Sequence, residues 1–397
     1  LFDFPPTGWI AMTMLAVSPL QLLYGQEARP YGMLILAILL SSAVFLWAYR
    51  GKKIFRWSLY SLTIVLGLYA HFLFVLLAIS HGIYILFNDR FHLGKNFVYY
   101  LISWGTGIIL FLPWLVVFIL HYDFKQNYID WTTVPLSHLA LFQSWILNLS
   151  LIFFDFNDTF RYQYLLGYIF VTSISIYALY YLCKNTQKSA WIFIFCLIGV
   201  TGLILAIPDV ILGGRRSINP RYLLATYLGI QIAIAHLLAT KIFLDSNKKW
   251  QQFSWSIVTL ALISLGVFSC ATLAQTKTTW NKDQDIHYER VAEIINHYKN
   301  PLVVAHWVRL PSLSHILNPK IKLYSSSLKN AKNVTDEFCD IFVYNYKGIM
   351  KDWPPKNSQY QIQKIYDWQQ EISPDNIVKS RLWHIKNHHC NSNVNTI

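Results

Sequence analysis

Apolar runs of spanning length, separated by short polar breaks, fill the first two thirds of the chain. Nine stand out: 8–24, 31–49, 57–70, 72–87, 97–120, 164–183, 191–207, 222–244 and 254–273. A helix that crosses the hydrocarbon layer needs about 20 mostly apolar residues. The third and fourth runs are short, but joined they are too long for one crossing, and Ala70-His71 marks a turn between them. Leu136–Phe154 has the pattern of a helix lying along the membrane surface. After residue 275 the pattern changes to an amphipathic stretch over about 285–299, then short β-type runs at Leu302–Ala305, Ile321–Tyr324, Ile341–Tyr344 and Arg381–Ile385. The expected fold is an α-helical polytopic membrane protein with about nine spans and a small C-terminal extracytoplasmic α/β domain. The expected divisions are a transmembrane part over 1–274, an α/β domain over 275–386 and a disordered tail over 387–397.

Composition agrees with the pattern. Hydrophobic residues make up 54% of the 397 and charged residues 13%, about half the charged share of a soluble domain. That excludes an ordinary soluble globular protein, and it also excludes disorder, which needs low hydrophobicity. The net charge of +13 is spread over short loops instead of one face, so nucleic acid is not an expected partner and the lipid bilayer is. The loop 50–56 carries Arg50, Lys52, Lys53 and Arg56 with no acid. Arg90 with Lys95, Lys184 with Lys188, and Lys248 with Lys249 mark every second loop after it. The positive-inside rule puts these loops in the cytoplasm. Leu1 is then cytoplasmic, and 25–30, His71, 121–163, 208–221 and everything beyond 274 face outward, in a multi-pass protein of the plasma or inner membrane. Leu1-Phe2-Asp3 opens the chain with no charged segment or cleavage site of a signal peptide. Cys183, Cys196 and Cys270 lie in apolar stretches; Cys339 and Cys390 are a candidate pair if their domain is outside.

Three places carry candidate chemistry. The outward segment 208–221 holds Arg215, Arg216 and Arg221, against the usual charge bias. Two readings stand: contact with lipid headgroups, or an anion site in which guanidinium forks grip phosphate and Gly213-Gly214 lets the backbone come close. The run Ser18–Tyr31 sets Gln26, Glu27 and Arg29 in a very short loop between two spans. Glu27 and Arg29 are either a functional pair near membrane depth or a surface ion pair of little consequence. The loop 121–163 holds Asp123, Asp130, Asp155 and Asp158 with Trp131 and Trp145. Asp123, Asp130 and Trp131 are candidate sugar contacts, although interfacial aromatics alone are the plainer reading. Glu27 or His71 is a candidate ligand for a divalent metal ion, a hydrogen-bonded His71 being the alternative. The chain has no P-loop and no dinucleotide fingerprint, so neither a nucleotide nor a redox cofactor is expected.

Two of these motifs carry a resemblance. The run SPLQLLYGQEARPYGMLIL, residues 18–36, resembles the signature of the polyprenyl-phosphate-sugar-dependent, multi-spanning glycosyltransferases related to the dolichyl-phosphate-mannose protein mannosyltransferases. Arg216–Leu224, containing Pro220-Arg221-Tyr222-Leu223, is similar to the entry of that family into a late helix. The likeness extends over residues 1 to about 275 and implies a bacterial member lacking its N-terminal part. It implies a membrane transferase that moves a hexose or pentose, mannose-like in the family, from a polyprenyl-phosphate donor to a glycan, lipid or protein acceptor on the outer face, in cell-envelope glycosylation. Arg215, Arg216, Arg221 and Tyr222 would hold the donor phosphate. Gln26, Glu27 and Arg29 would organise the acceptor or a metal. The catalytic base would lie upstream of Leu1, in a first outer loop, and the complete protein would have about eleven spans. A non-enzymatic translocator of lipid-linked sugars, or a polysaccharide-export component, would want the same outer arginines. A transporter would want charged or broken helices at mid-membrane, and the spans are almost free of charge.

Overall fold

The computed structural model describes residues 1–27, 29–51, 53–121, 130–156, 160–244, 249–276, 287–306, 309–325, 337–344, 360–373 and 376–387, apart from the side chains of 130–131 and 369–379. The chain divides into two compact units, Leu1–Gln275 and Thr276–Ile397.

The first unit is helical. In order it contains α1 (Pro5–Ala16), α2 (Pro19–Gln26), α3 (Tyr31–Gly51), α4 (Ile54–Ala70), α5 (Phe74–Asn88), α6 (Lys95–Leu120), α7 (His138–Ser150), α8 (Leu165–Asn185), α9 (Lys188–Leu212), α10 (Leu224–Phe243) and α11 (Lys249–Gln275). Among the described residues, six helices are long and apolar enough to cross a membrane, or seven if α1 and α2 are one broken span. The shorter α4 and α5 correspond to the runs 57–70 and 72–87 and stay below that length, so nine crossings are not reached by length and hydropathy alone. Large apolar side chains such as Leu36, Leu120, Leu166 and Phe268 stand exposed along the helices. Water would not tolerate so wide an apolar surface, and a bilayer accepts it. In α6 only 17% of the apolar window is buried in protein, whereas in α10 the share is 72%. The bundle is therefore built around α10, with α6 at its edge.

The run 8–24 is not one straight helix. It breaks by 56° between α1 and α2, where Pro19 removes an amide donor and starts a new helix. The broken ends are satisfied by neighbours. Ser18 Oγ donates to the Ile152 carbonyl at 2.9 Å, and the Leu20 amide donates to the Leu151 carbonyl at 3.0 Å. On the other side, Gln231 donates to the Met14 carbonyl and Cys270 Sγ to that of Val17. Gly266 lets α11 pass this break: a Cβ there would lie 2.5 Å from the Val17 oxygen.

The second unit contains α12 (Tyr288–Asn296), β1 (Leu302–Ala305), α13 (Leu310–Ser314), β2 (Lys322–Tyr324), β3 (Asp340–Tyr344), β4 (Tyr360–Ser373) and β5 (Asn376–Asn387). The strands form one sheet in the order β2-β1-β3-β5-β4, parallel across β2, β1 and β3 and antiparallel beyond. Side chains alternate between two cores. Val303, Ala305, Phe342, Tyr344 and Leu382 meet Tyr288, Val291, Ala292 and Ile295 of α12. Leu302, Val304, Ile341, Val343 and Ile385 fill the opposite face with Phe338. The α12 spacing of three, one and three is the apolar stripe of a half-buried helix.

The sequence runs at 302, 321 and 341 are β1, β2 and β3; the run at 381 lies inside the longer β5. β4 has no counterpart among them. Asn387 was assigned to a disordered tail, but it ends β5, is buried, and donates its amide to the Cys339 carbonyl; residues 388–397 lie outside the described residues. Cys339 is disulfide-bonded, while Cys183, Cys196 and Cys270 are free thiols. Cys390 lies outside the described residues.

Candidate functional site

The loop that follows α9 is organised by one buried acid. Asp209, in the last turn of α9, has a side chain with no exposure to solvent. Its Oδ1 accepts from Arg216 Nη1 at 3.1 Å, and its Oδ2 accepts from the Ser217 amide at 2.6 Å and the Ser217 hydroxyl at 2.7 Å. A carboxylate taken out of water needs this degree of pairing. Gly214, at φ +147°, passes directly beside the pair: a Cβ there would meet Asp209 Oδ1 at 2.5 Å and Arg216 Nη1 at 2.7 Å. The close backbone approach expected of Gly213-Gly214 is thus made to a carboxylate of the same chain.

The loop is also stapled to the segment before and within α7. The Arg215 amide donates to the Thr132 carbonyl at 2.9 Å and its Nε to the Val134 carbonyl at 3.3 Å. Trp145 Nε1 donates to Ser217 Oγ at 3.0 Å, and Asn148 Nδ2 to the Ile218 carbonyl at 2.6 Å. Asn219 Nδ2 closes the loop on the Arg215 carbonyl at 3.0 Å. Of the three arginines, Arg216 is engaged by an acid and Arg215 by backbone.

Arg221 has different surroundings. It lies in the 3-10 turn Pro220–Tyr222 that leads into α10. Its guanidinium carbon is 5.1 Å from the Tyr222 ring centre and 5.9 Å from that of Tyr31. Its Nη2 reaches the Tyr222 hydroxyl at 3.4 Å. Tyr31 in turn meets Tyr24 edge-on and His71 at a tilt, both with ring centres 5.4 Å away. Arg221 is close enough to Tyr24 and His71 to act on both electrostatically. Burial first, and then the Arg221 charge, hold His71 below the ordinary imidazole value, so it stands neutral beside the guanidinium at pH 7. The rings of Tyr31 and Tyr222 thus border Arg221, and an aromatic face leaves the positive charge in place.

Glu27 closes the group. Its side chain is 8% exposed and pairs with Arg29 Nε at 3.2 Å, Arg29 itself being 47% exposed. The pair forms as the sequence allows, but its carboxylate is buried, which a surface ion pair would not be. Glu27 also acts on Tyr24. Gln26 is exposed. One turn earlier on α2, Gln21 keeps both amide atoms buried without a hydrogen-bond partner among the described residues, on the helix face that carries Tyr24.

The remaining candidates separate. Asp155 is buried, with its amide and carbonyl both bonded to Ser269 Oγ, which takes it out of any exposed sugar surface. The backbone of Asp130 and Trp131 forms a 3-10 turn, Asp130–Thr133, and their side chains lie outside the description, as do Asp123 and Asp158. Among the described residues no three His, Cys, Asp or Glu side chains gather to hold a metal ion. Asp209, Asn148, Tyr24 and Tyr31 belong to the site without a sequence signal that singles them out. The partner of Asn148 is fixed by tertiary packing; those of Asp209 lie seven and eight residues on in its own segment, where only its pairing by a buried turn distinguishes it.

The structure thus joins Tyr24, Glu27 and Tyr31 of the first motif to Arg221 and Tyr222 of the second, with His71 between. No protein-family model matches the chain, and no curated protein matches it.

Proposed function

We propose that the helical unit binds the phosphate of a polyprenyl-phosphate sugar at Arg221 and takes part in transferring that sugar to an acceptor at the outer face. The single observation that carries the reading is the meeting of the two motifs around Arg221. A guanidinium bordered by Tyr31 and Tyr222, with His71 against Tyr31, is suited to a phosphate at headgroup level, with the lipid tail in the bilayer. Sugar transfer leaves negative charge on the departing phosphate, and a fixed cation there stabilises it. The Asp209 network holds the loop that carries Arg221, so Arg216 serves as a positioning residue and Arg221 as the contact. Glu27 and Arg29, at the rim, are suited to orienting an acceptor or a divalent ion. The proton acceptor of the reaction is not assigned among these residues.

The test is binding of polyprenyl phosphate to the purified chain in nanodiscs, followed by transfer from the sugar-loaded lipid. Loss of one charge-assisted contact costs about 1.5–3 kcal/mol, on the order of 10- to 100-fold in affinity. Arg221→Ala should show that loss. Arg221→Lys, which keeps charge but not the fork, should recover part of it. Arg50→Ala, in the last turn of α3, should bind normally. Full affinity in Arg221→Ala would overturn the reading, and binding without transfer in an assay with acceptor present would favour translocation.

A further inference from the structure

We infer that the second unit has its own oxyanion site at the carboxyl ends of β1 and β3, with Arg309 as its cation. The strand order β2-β1-β3 is the first observation. The chain leaves β1 toward β2 on one side and returns to β3 on the other. In parallel sheets with this order, ligands bind in the crevice beyond the strand ends where the direction reverses, here between β1 and β3.

The second observation is what stands there. Ala305 ends β1 and pairs with Tyr344, which ends β3. Four residues past Ala305, Arg309 is fixed by a turn in which its amide donates to the His306 carbonyl at 2.8 Å. Its guanidinium carbon lies 5.9 Å from the Tyr344 ring centre, so it reaches from the exit of one strand over the exit of the other. Tyr344 is itself buried and held by its hydroxyl, 2.9 Å from Ser380 Oγ. Arg309 Nη1 is buried and has no hydrogen-bond partner among the described residues. A charged donor in that state is costly unless a ligand completes it. The group that fits a half-buried guanidinium lying over an aromatic ring is a carboxylate or phosphate, which takes the fork bidentately. The ligand class is an oxyanion-bearing small molecule, such as a uronate or a sugar phosphate, or an anionic headgroup that presents the same oxygens. This site does not depend on the reading of the helical unit.

The experiment is hydrogen exchange on the full chain in nanodiscs of zwitterionic lipid. Inorganic phosphate and glucuronate are titrated separately, with chloride at matched ionic strength as the reference. At least one of the two should raise protection of Leu302–Ala305 and Asp340–Tyr344 in a saturable way, and chloride should not. Arg309→Gln should shift half-saturation upward by about 10- to 100-fold, and Arg309→Lys by less. Protection in nanodiscs of anionic lipid, with no anion added, assigns the oxyanion to a headgroup; its absence there, with a response to phosphate or glucuronate, assigns it to a soluble ligand. Exchange in the β4–β5 hairpin reports folding of each variant, and if Arg309→Gln loses it, Arg309→Lys decides. No saturable response to phosphate, glucuronate or anionic lipid, or wild-type binding by the folded variants, overturns the proposal.

Discussion

Asp209 and His287 show how single buried groups set conditions for the parts around them. Asp209 takes three hydrogen bonds inside the 213–223 loop and its flank. Asp209→Asn would leave Arg216 without its counter-charge. Breaking a buried pair from one side costs about 3–5 kcal/mol, and the 30% exposure of Arg216 brings this toward the lower end. The expected outcome is faster hydrogen exchange across 213–222 with the helices unchanged, partly restored by adding Arg216→Gln. Unchanged exchange in the single variant would mean the pair does not hold the loop. His287 donates or accepts at Nδ1 with the Tyr366 hydroxyl at 2.8 Å, and its ring lies 4.1 Å from that of Trp368. Burial holds its pKa below the ordinary 6.5. The unfolded chain therefore binds a proton that the folded unit resists, and stability declines as pH falls below about 6.5 toward the folded value. His287→Phe keeps a ring against Trp368 and removes the titration. Exchange of β1 and β3 amides at pH 7.5 and 5.5, corrected for intrinsic rates, should show a smaller acid loss in the variant; an equal loss would assign the pH response elsewhere.

At the scale of elements, the break between α1 and α2 depends on α11 coming close. Gly266→Ala would set a methyl group 2.5 Å from the Val17 oxygen, a backbone atom that cannot swing away. Overpacking of this kind costs about 1–3 kcal/mol, read as a lower Tm of the purified chain. An unchanged Tm would show that the helices separate freely. Much of this level was legible in the sequence. The apolar runs locate α3 to α6 and α8 to α11 because long apolar helices are marked by length and hydropathy, although α4 and α5 fall short of spanning length. The stripe Tyr288, Val291, Ala292 and Ile295 locates α12 because one face alone is buried. The break at Pro19 was not legible, since a proline in an apolar run either kinks or starts a helix depending on which neighbours accept the freed groups. β4 was missed for a different reason. It is an edge strand with Gln361, Gln363 and Lys364 exposed, and polar residues on a sheet edge suppress the alternation that identifies inner strands. Of the site, Glu27 with Arg29 and the arginine loop could be found from charge in the wrong place; Tyr31 against Arg221 could not, because aromatic residues are everywhere in this chain.

For the whole molecule, charge sorts the ends of the helical unit. Tyr49 on α3 bonds to Asp89 after α5, so these loops share one end. Glu27, His71, Thr132 and the 213–223 loop share the other. The grouping follows the alternation of basic loops. Reporter fusions after Lys188 and after Lys282 should report opposite sides of the membrane, the first cytoplasmic. Both reporters on one side would refute the assignment.

The docking of α1 on α10 has a consequence for how the chain is made. Thr7 and Phe2 both meet His236, and Met14 meets Gln231. Once made, α1 therefore finds its partner only after more than two hundred further residues have been added. At about 5–20 residues per second, α1 waits on the order of tens of seconds in contact with lipid or with the insertion machinery. During that time its Thr7 hydroxyl and the carbonyls at the Pro19 break lack the neighbours that later satisfy them. Assembly of this bundle cannot proceed strictly in the order of synthesis: α1 is seated only after α10 has been made.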